Sequence, residues 1–405
     1  MSSFLKDLEN IIFLILTTFA SCFAYNSVSP LAHQLMNNYN RPESIVSDAI
    51  LAHGIPSACM SIVFGYTADK YGFLSSFIPA SLCVVIGNLI IALSGKSYAL
   101  FIIGRVIFGL GGEPTLTIQS KAISIIFHGR NTKIAFGFIY FGYMLAEILS
   151  TFISYTSLSN AFWIQFGICC LSLLAIIKVS FQLRKAHTDA QVPKVHLRLF
   201  PGLYWLGFVS RLCAMTFMNT LPSLLTVFNF QLRGKYETYT FFVLQGSTMI
   251  TYIIAGYLGT YVIIIGTLLF SAGMWVFYYT EWGTAISGVG TGCVGAMSSS
   301  LISRIVGPEL TGSGMGLLFF SQFLIQSIWA YIVSVFKSVK YVVIIYAILP
   351  VFATIGFTIL MITDSRRKSL QSGNEICEIY SDSAPKDDLP HIITVYSDSN
   401  SIDDI

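Results

Sequence analysis

The sequence predicts an all-α membrane protein of 12 transmembrane helices arranged as two six-helix halves. Composition, the spacing of apolar runs and repetition between the halves predict it. Of 405 residues, 54% are hydrophobic and 11% charged, whereas a soluble globular chain carries about 25% charged residues. Apolar runs recur roughly every 30 residues, which suits helices that each need about 20 residues to cross a bilayer.

The first six spans are expected near residues 8–28, 45–66, 73–94, 99–127, 134–155 and 161–183. Six more follow near 199–228, 239–257, 261–279, 284–306, 312–336 and 339–362. The boundary between the eighth and ninth is the least marked, since only a glycine-flanked turn divides them. The domain plan is therefore an N-terminal bundle over 1–183, a cytosolic linker over 184–198, a C-terminal bundle over 199–362 and a disordered acidic cytosolic tail over 363–405. Asp7 and Glu9 in the leading region argue against a cleaved secretory signal.

The halves echo one another. Gly65-Tyr66 closes the second span and Gly256-Tyr257 the eighth, while Ser29-Pro30-Leu31 ends the first and Leu221-Pro222-Ser223 the seventh. Such parallel repeats place a substrate site between the halves near the bilayer midplane.

The net charge is +3, but the bases stand singly between apolar spans and so report topology rather than nucleic-acid binding. With both termini in the cytosol, 12 bases fall on the cytosolic side and 6 opposite, which favours that orientation. The eight cysteines form no CxxC pair and no Cys/His metal spacing, so no metal or cofactor is expected. Phosphate loops and nucleophile-base pairs are also missing from the sequence, which sets enzymes aside.

Polar residues inside apolar spans mark candidate sites, because a charge at the midplane is costly unless paired or facing water. The fourth span carries Arg105, Gly109, Gly112, Glu113, Pro114, Gln119 and Lys121. Arg105, Gly109 and Gly112 share one helix face and form a small-residue stripe. Glu113 lies about 12 Å further along and Lys121 another 12 Å on, near the cytosolic end. Arg105, Arg211, Lys121 and Gln119 join Glu113 as candidate substrate ligands, and Glu147 is either a proton carrier or an arginine partner. Purely structural pairs, Glu113 with Arg211 or Glu147 with Arg105, are the alternative. Lys121 has a second reading as a snorkelling surface group. Gln322 and Gln326 either face the path or join helices. His33 and His53, near the outer ends of the first two spans, could sense pH.

The segment GYTADKYG, residues 65–72, sets Asp69 and Lys70 in a turn between two helices, with Gly65 and Gly72 allowing close approach. Asp69 there can accept hydrogen bonds from a helix N-terminus or an arginine. An ordinary solvated turn is the alternative. The segment resembles the signature loop of the major facilitator superfamily, G-x-x-x-D-[RK]-x-G. The resemblance implies the major facilitator fold, with Gly65, Asp69, Lys70 and Gly72 forming a conformational-lock loop. The corresponding segment, 256–261, lacks charge.

Two further stretches are more specific. GRVIFGLGGEPTLTIQ, ending at Gln119, and PELTGSGMGLLFFSQ, ending at Gln322, are similar to the superfamily's lysosomal dipeptide-transporter branch, major facilitator superfamily domain-containing protein 1. That resemblance implies facilitated uniport of dipeptides in a lysosomal or other endomembrane, with the plasma membrane as the alternative. Glu113 would meet the substrate's amino end and basic groups its carboxyl end. The branch's arginine on the fifth span falls at Met144, so Lys121 or Arg211 must replace it. A glycosylated luminal accessory protein is the partner the resemblance implies, besides the small-molecule substrate and the lipid bilayer. The chain itself has no N-x-[ST] acceptor. DLENII at 7–12 and DLPHII at 388–393 loosely resemble acidic dileucine sorting signals. Two other readings are a proton-coupled symporter of sugars or organic anions and a transport-dead scaffold.

Overall fold

The computed structural model describes residues 2–42, 44–184, 200–233, 239–335 and 339–382. Among them it forms 13 α-helices and no strand: α1 (Ser2–Asn26), α2 (Ala32–Tyr39), α3 (Ser44–Tyr71), α4 (Phe73–Ala92), α5 (Tyr98–Ile126), α6 (Arg130–Thr151), α7 (Leu158–Leu183), α8 (Gly202–Arg233), α9 (Tyr239–Leu258), α10 (Val262–Tyr279), α11 (Gly283–Val306), α12 (Thr311–Val335) and α13 (Val339–Asp382). Among the described residues, 10 helices are long and apolar enough to cross a membrane. The other two expected spans, α8 and α12, run 32 and 25 residues.

The helix the sequence did not announce is α2. Its eight residues bury Leu35 and Tyr39, and it ends on Asn40 in the left-handed conformation. So short an amphipathic segment gives almost no periodic signal. The unmarked boundary between α9 and α10 falls at Gly259, whose φ of +91° is a turn conformation open to glycine.

Contacts divide the chain into a large unit, Met1–Phe357, and a small one, Thr358–Ile405. The small unit begins within α13, which stays helical to Asp382, well into the segment expected to be a disordered tail. Extending an existing helix is cheap once a span has nucleated it. The expected linker, from residue 185 on, and the 388–393 motif lie outside the described residues.

In lipid, helices gain nothing by hiding apolar surface from one another, so small residues that permit close contact decide which helices meet. In the large unit α4 packs on α5 and, in the second half, α10 packs on α11. A Cβ at Gly290 of α11 would sit 2.5 Å from the Phe270 amide nitrogen of α10. The two halves meet where α3 lies along α12 and α6 along α9, with α5 and α11 at the centre.

Candidate functional site

The charged turn at residues 65–72 packs against the opposite half. Asp69, fully buried at the end of α3, accepts the Gly312 N–H at 3.0 Å and the Ser313 N–H at 2.6 Å. Both amides lie in the first turn of α12, where unpaired N–H groups and the helix dipole favour an anion. The base beside Asp69 is Lys121, whose Nζ lies 2.7 Å from Oδ1 and donates to the Ala68 carbonyl at 3.0 Å. Lys70, the base next to it in the motif, places its ammonium over Tyr66 and Tyr71. Backbone contact between the ends of α3 and α12 requires Gly65, because a Cβ there would run into the Gly312 carbonyl. On the counterpart side Gly137 of α6 faces Gly256 of α9, and a Cβ at Gly137 would lie 2.7 Å from the Tyr252 carbonyl.

A cavity of about 130 Å³ opens between the halves. Glu113 of α5 and Glu147 of α6 line it from the first half, and Arg211 of α8 from the second. Gln245, Gln322 and Gln326 complete the polar wall, with Tyr25, Tyr140, Tyr143, Tyr252 and Phe319 between them. Glu113 and Glu147 are 8% and 9% exposed and Arg211 1%. Arg211 is held from behind: its Nη1 donates to Ser298 and Ser299 of α11, each at 2.6 Å, and its Nη2 to the Tyr140 hydroxyl at 3.2 Å. Several buried atoms on this wall have no partner among the described residues: Glu113 Oε2, Arg211 Nε, Gln245 Nε2, Gln322 Oε1 and Gln326 Oε1. Orphaned donors and acceptors around one cavity are a site that water or a polar ligand completes.

Of the residues singled out in the sequence, the structure thus brings Glu113, Glu147, Arg211, Gln322 and Gln326 together, with Met144 on the same wall. It sends three elsewhere. Arg105 turns to the backbone, donating from Nε to Ala49 and from Nη1 to Ala24, so it ties α5 to α3 and α1. Gln119 donates to the Leu14 carbonyl at 2.5 Å and accepts from the Tyr143 hydroxyl, bracing α1, α5 and α6. Lys121 pairs with Asp69 at the end of α3 and, being 2% exposed, does not snorkel to a surface. The considered pairs Glu113 with Arg211 and Glu147 with Arg105 are not among the ion pairs of the described residues. Backbone carbonyls hold Arg105, and the α11 serines with Tyr140 hold the Nη atoms of Arg211.

His53, read in the sequence only as a candidate pH sensor, is buried on α3 with Nε2 3.7 Å from Oε1 of Glu113, a neighbour the sequence did not announce. The glycine stripe of α5 was its available signal, since Gly109 and Gly112 face this residue. Tyr140, Ser298 and Ser299 were missed too, because neutral hydroxyls carry little signal in an apolar run.

Two packed sets of helices with a polar cavity between them and a closed contact at one end define a membrane transporter architecture. The chain belongs to the Major Facilitator Superfamily, whose profile matches residues 14–330. It is a multi-pass membrane protein of that family. A zebrafish (Danio rerio) protein described as lysosomal dipeptide transporter MFSD1 is 25% identical over 130 residues. That match spans 31% of this chain and 28% of the relative's length. Among solved structures, the human organic anion transporter MFSD10 superposes with a TM-score of 0.70 at 14% identity, covering 87% of this chain and 98% of that one. The E. coli fucose:proton symporter FucP gives 0.68 at 13% identity over 87% and 98%. The proton:xylose symporter XylE gives 0.67 at 14% over 85% and 94%. At these identities the structural likeness establishes the fold.

Proposed function

We propose that this chain is a facilitative transporter of dipeptides or amino-acid-like zwitterions, working by alternating access of its two halves around the central cavity. One observation carries the reading: carboxylates from one half and a guanidinium from the other line the same buried space. A zwitterion offers the matching charges at its two ends, and bridging the halves is what a substrate must do to favour their closure. Arg211 takes the substrate carboxylate in place of the fifth-span arginine missing at Met144, and Glu113 takes the amino group. The partial match to a dipeptide transporter supports the same class. The lock end faces the cytosol by the count of bases, with both termini on that side. Residence in a lysosomal or other endomembrane, and a glycosylated accessory partner, rest on the resemblance alone.

A second reading is proton-coupled symport of a sugar or organic anion. It is favoured by Glu113 and Glu147 facing the cavity without a lysine or arginine partner among the described residues. Relatives of this fold described as proton symporters, FucP and XylE, add to it.

Proteoliposomes holding a trapped pH dye separate the two. Dipeptide uptake without acidification, abolished in Glu113→Gln, is the expected result. Acidification in proportion to flux would establish symport, and full activity of Glu113→Gln would remove the carboxylate from the mechanism.

A further inference from the structure

His53 lies in a slot cut for it. Its ring stacks on Phe108 at 4.5 Å and meets Tyr25 at 5.1 Å. A Cβ at Gly112 would lie 2.6 Å from His53 Cε1, and one at Gly109 would press on the His53 backbone. The imidazole therefore occupies the space that two missing side chains leave on α5, next to Glu113.

The hydrogen bonds around it assign its proton. Ser57 Oγ donates to the Gly109 carbonyl at 2.7 Å, which uses the only hydroxyl hydrogen. At 3.3 Å from that same oxygen, His53 Nε2 can then only be the donor. Nε2 also lies 3.7 Å from Oε1 of Glu113, longer than a hydrogen bond but within reach of the N–H dipole, while Nδ1 has no partner among the described residues. Glu113 Oε2 also lacks a partner among the described residues. The carboxylate thus lies beside a fixed ring in a wall that the cavity also touches.

We propose that His53 is a positioning residue for Glu113, setting the orientation of the carboxylate that receives the amino group of the substrate. This rests on the zwitterion reading above. It also joins the cavity to the lock, because α3 carries both His53 and Asp69. A carboxylate held from one side keeps its geometry in the empty carrier, so less ordering remains to be done when substrate binds.

The test is exchange transport in proteoliposomes of alanyl-alanine and its N-acetyl derivative, which lacks the charged amine. His53→Leu should raise KM for alanyl-alanine about tenfold, as expected for a weakened charge-assisted contact, with turnover changed less than about twofold. KM for the N-acetyl compound should not move, and His53→Gln, which restores an N–H, should recover most of the loss. Equal changes for both compounds, or none for either, overturn the proposal. Wild-type protein that moves neither compound refutes the dipeptide reading, and the positioning role is then judged without substrate. Thermal midpoints of His53→Leu, Glu113→Gln and the double variant should be non-additive if the residues act on each other, and additive shifts overturn it. Where the leucine variant fails to fold, His53→Met replaces it in both measurements.

Discussion

Tyr140 and Ser299, which belong to opposite halves, share a 2.6 Å hydrogen bond directly beside Arg211. This bond joins α6 to α11 at the cavity wall, so it must break or re-form if the halves rock there. Tyr140→Phe should lower stability by about 1 kcal/mol, the usual net worth of one such bond. Adding Ser299→Ala should cost more, since it also removes an acceptor of Arg211, but the double variant should lose less than the sum of the singles, because they share this bond. Thermal unfolding of the two single variants and the double in detergent checks the coupling.

The lock predicts a larger effect with a specific rescue. Asp69→Ala leaves Lys121 buried without its anion, which should cost about 3–5 kcal/mol. Lys121→Met in the Asp69→Ala background should recover most of that loss. Unfolding midpoints of the two variants measure it.

The two buried arginines should separate in kinetics. Arg211→Lys keeps the charge but loses the planar fork that binds a carboxylate, so KM should rise tenfold or roughly more. Arg105→Lys should reduce stability by about 1–3 kcal/mol through weakened bonds to Ala24 and Ala49, leaving KM near that of wild type. Transport kinetics alongside thermal melts distinguish the two patterns.

Gly112→Ala introduces a methyl where the His53 ring sits. It should reproduce the His53→Leu pattern, with KM raised for the free-amine dipeptide and unchanged for the N-acetyl one. Comparing the two substrates in the same vesicles checks it.

Much of this organisation was legible in the sequence, for reasons that also explain the failures. Glu113 and Arg211 stood out because a charge inside an apolar run is costly and therefore purposeful. Asp69 was legible from its glycine-framed turn, and even its acceptor role toward a helix N-terminus followed from residue type. Its counter-ion was not. Lys70 is adjacent in sequence, yet side chains at the end of a helix diverge, and the ammonium that reaches Asp69 comes from Lys121 on α5. His53 and Glu113 are separated by 60 positions, and only the packing of α3 into the glycines of α5 makes them neighbours. Arg105 and Gln119 look like ligands in sequence, but rotation around α5 turns them toward backbone carbonyls of neighbouring helices.

Lys121 and Asp69 belong to the same half, whereas the amides of Gly312 and Ser313 belong to the other. When the halves part at this end, the carboxylate gives up two amide hydrogens and keeps its permanent counter-ion. Water then has only polar groups to resolvate, with no naked charge exposed at either side of the break. Parting at this contact would therefore cost two hydrogen bonds and strand no charge.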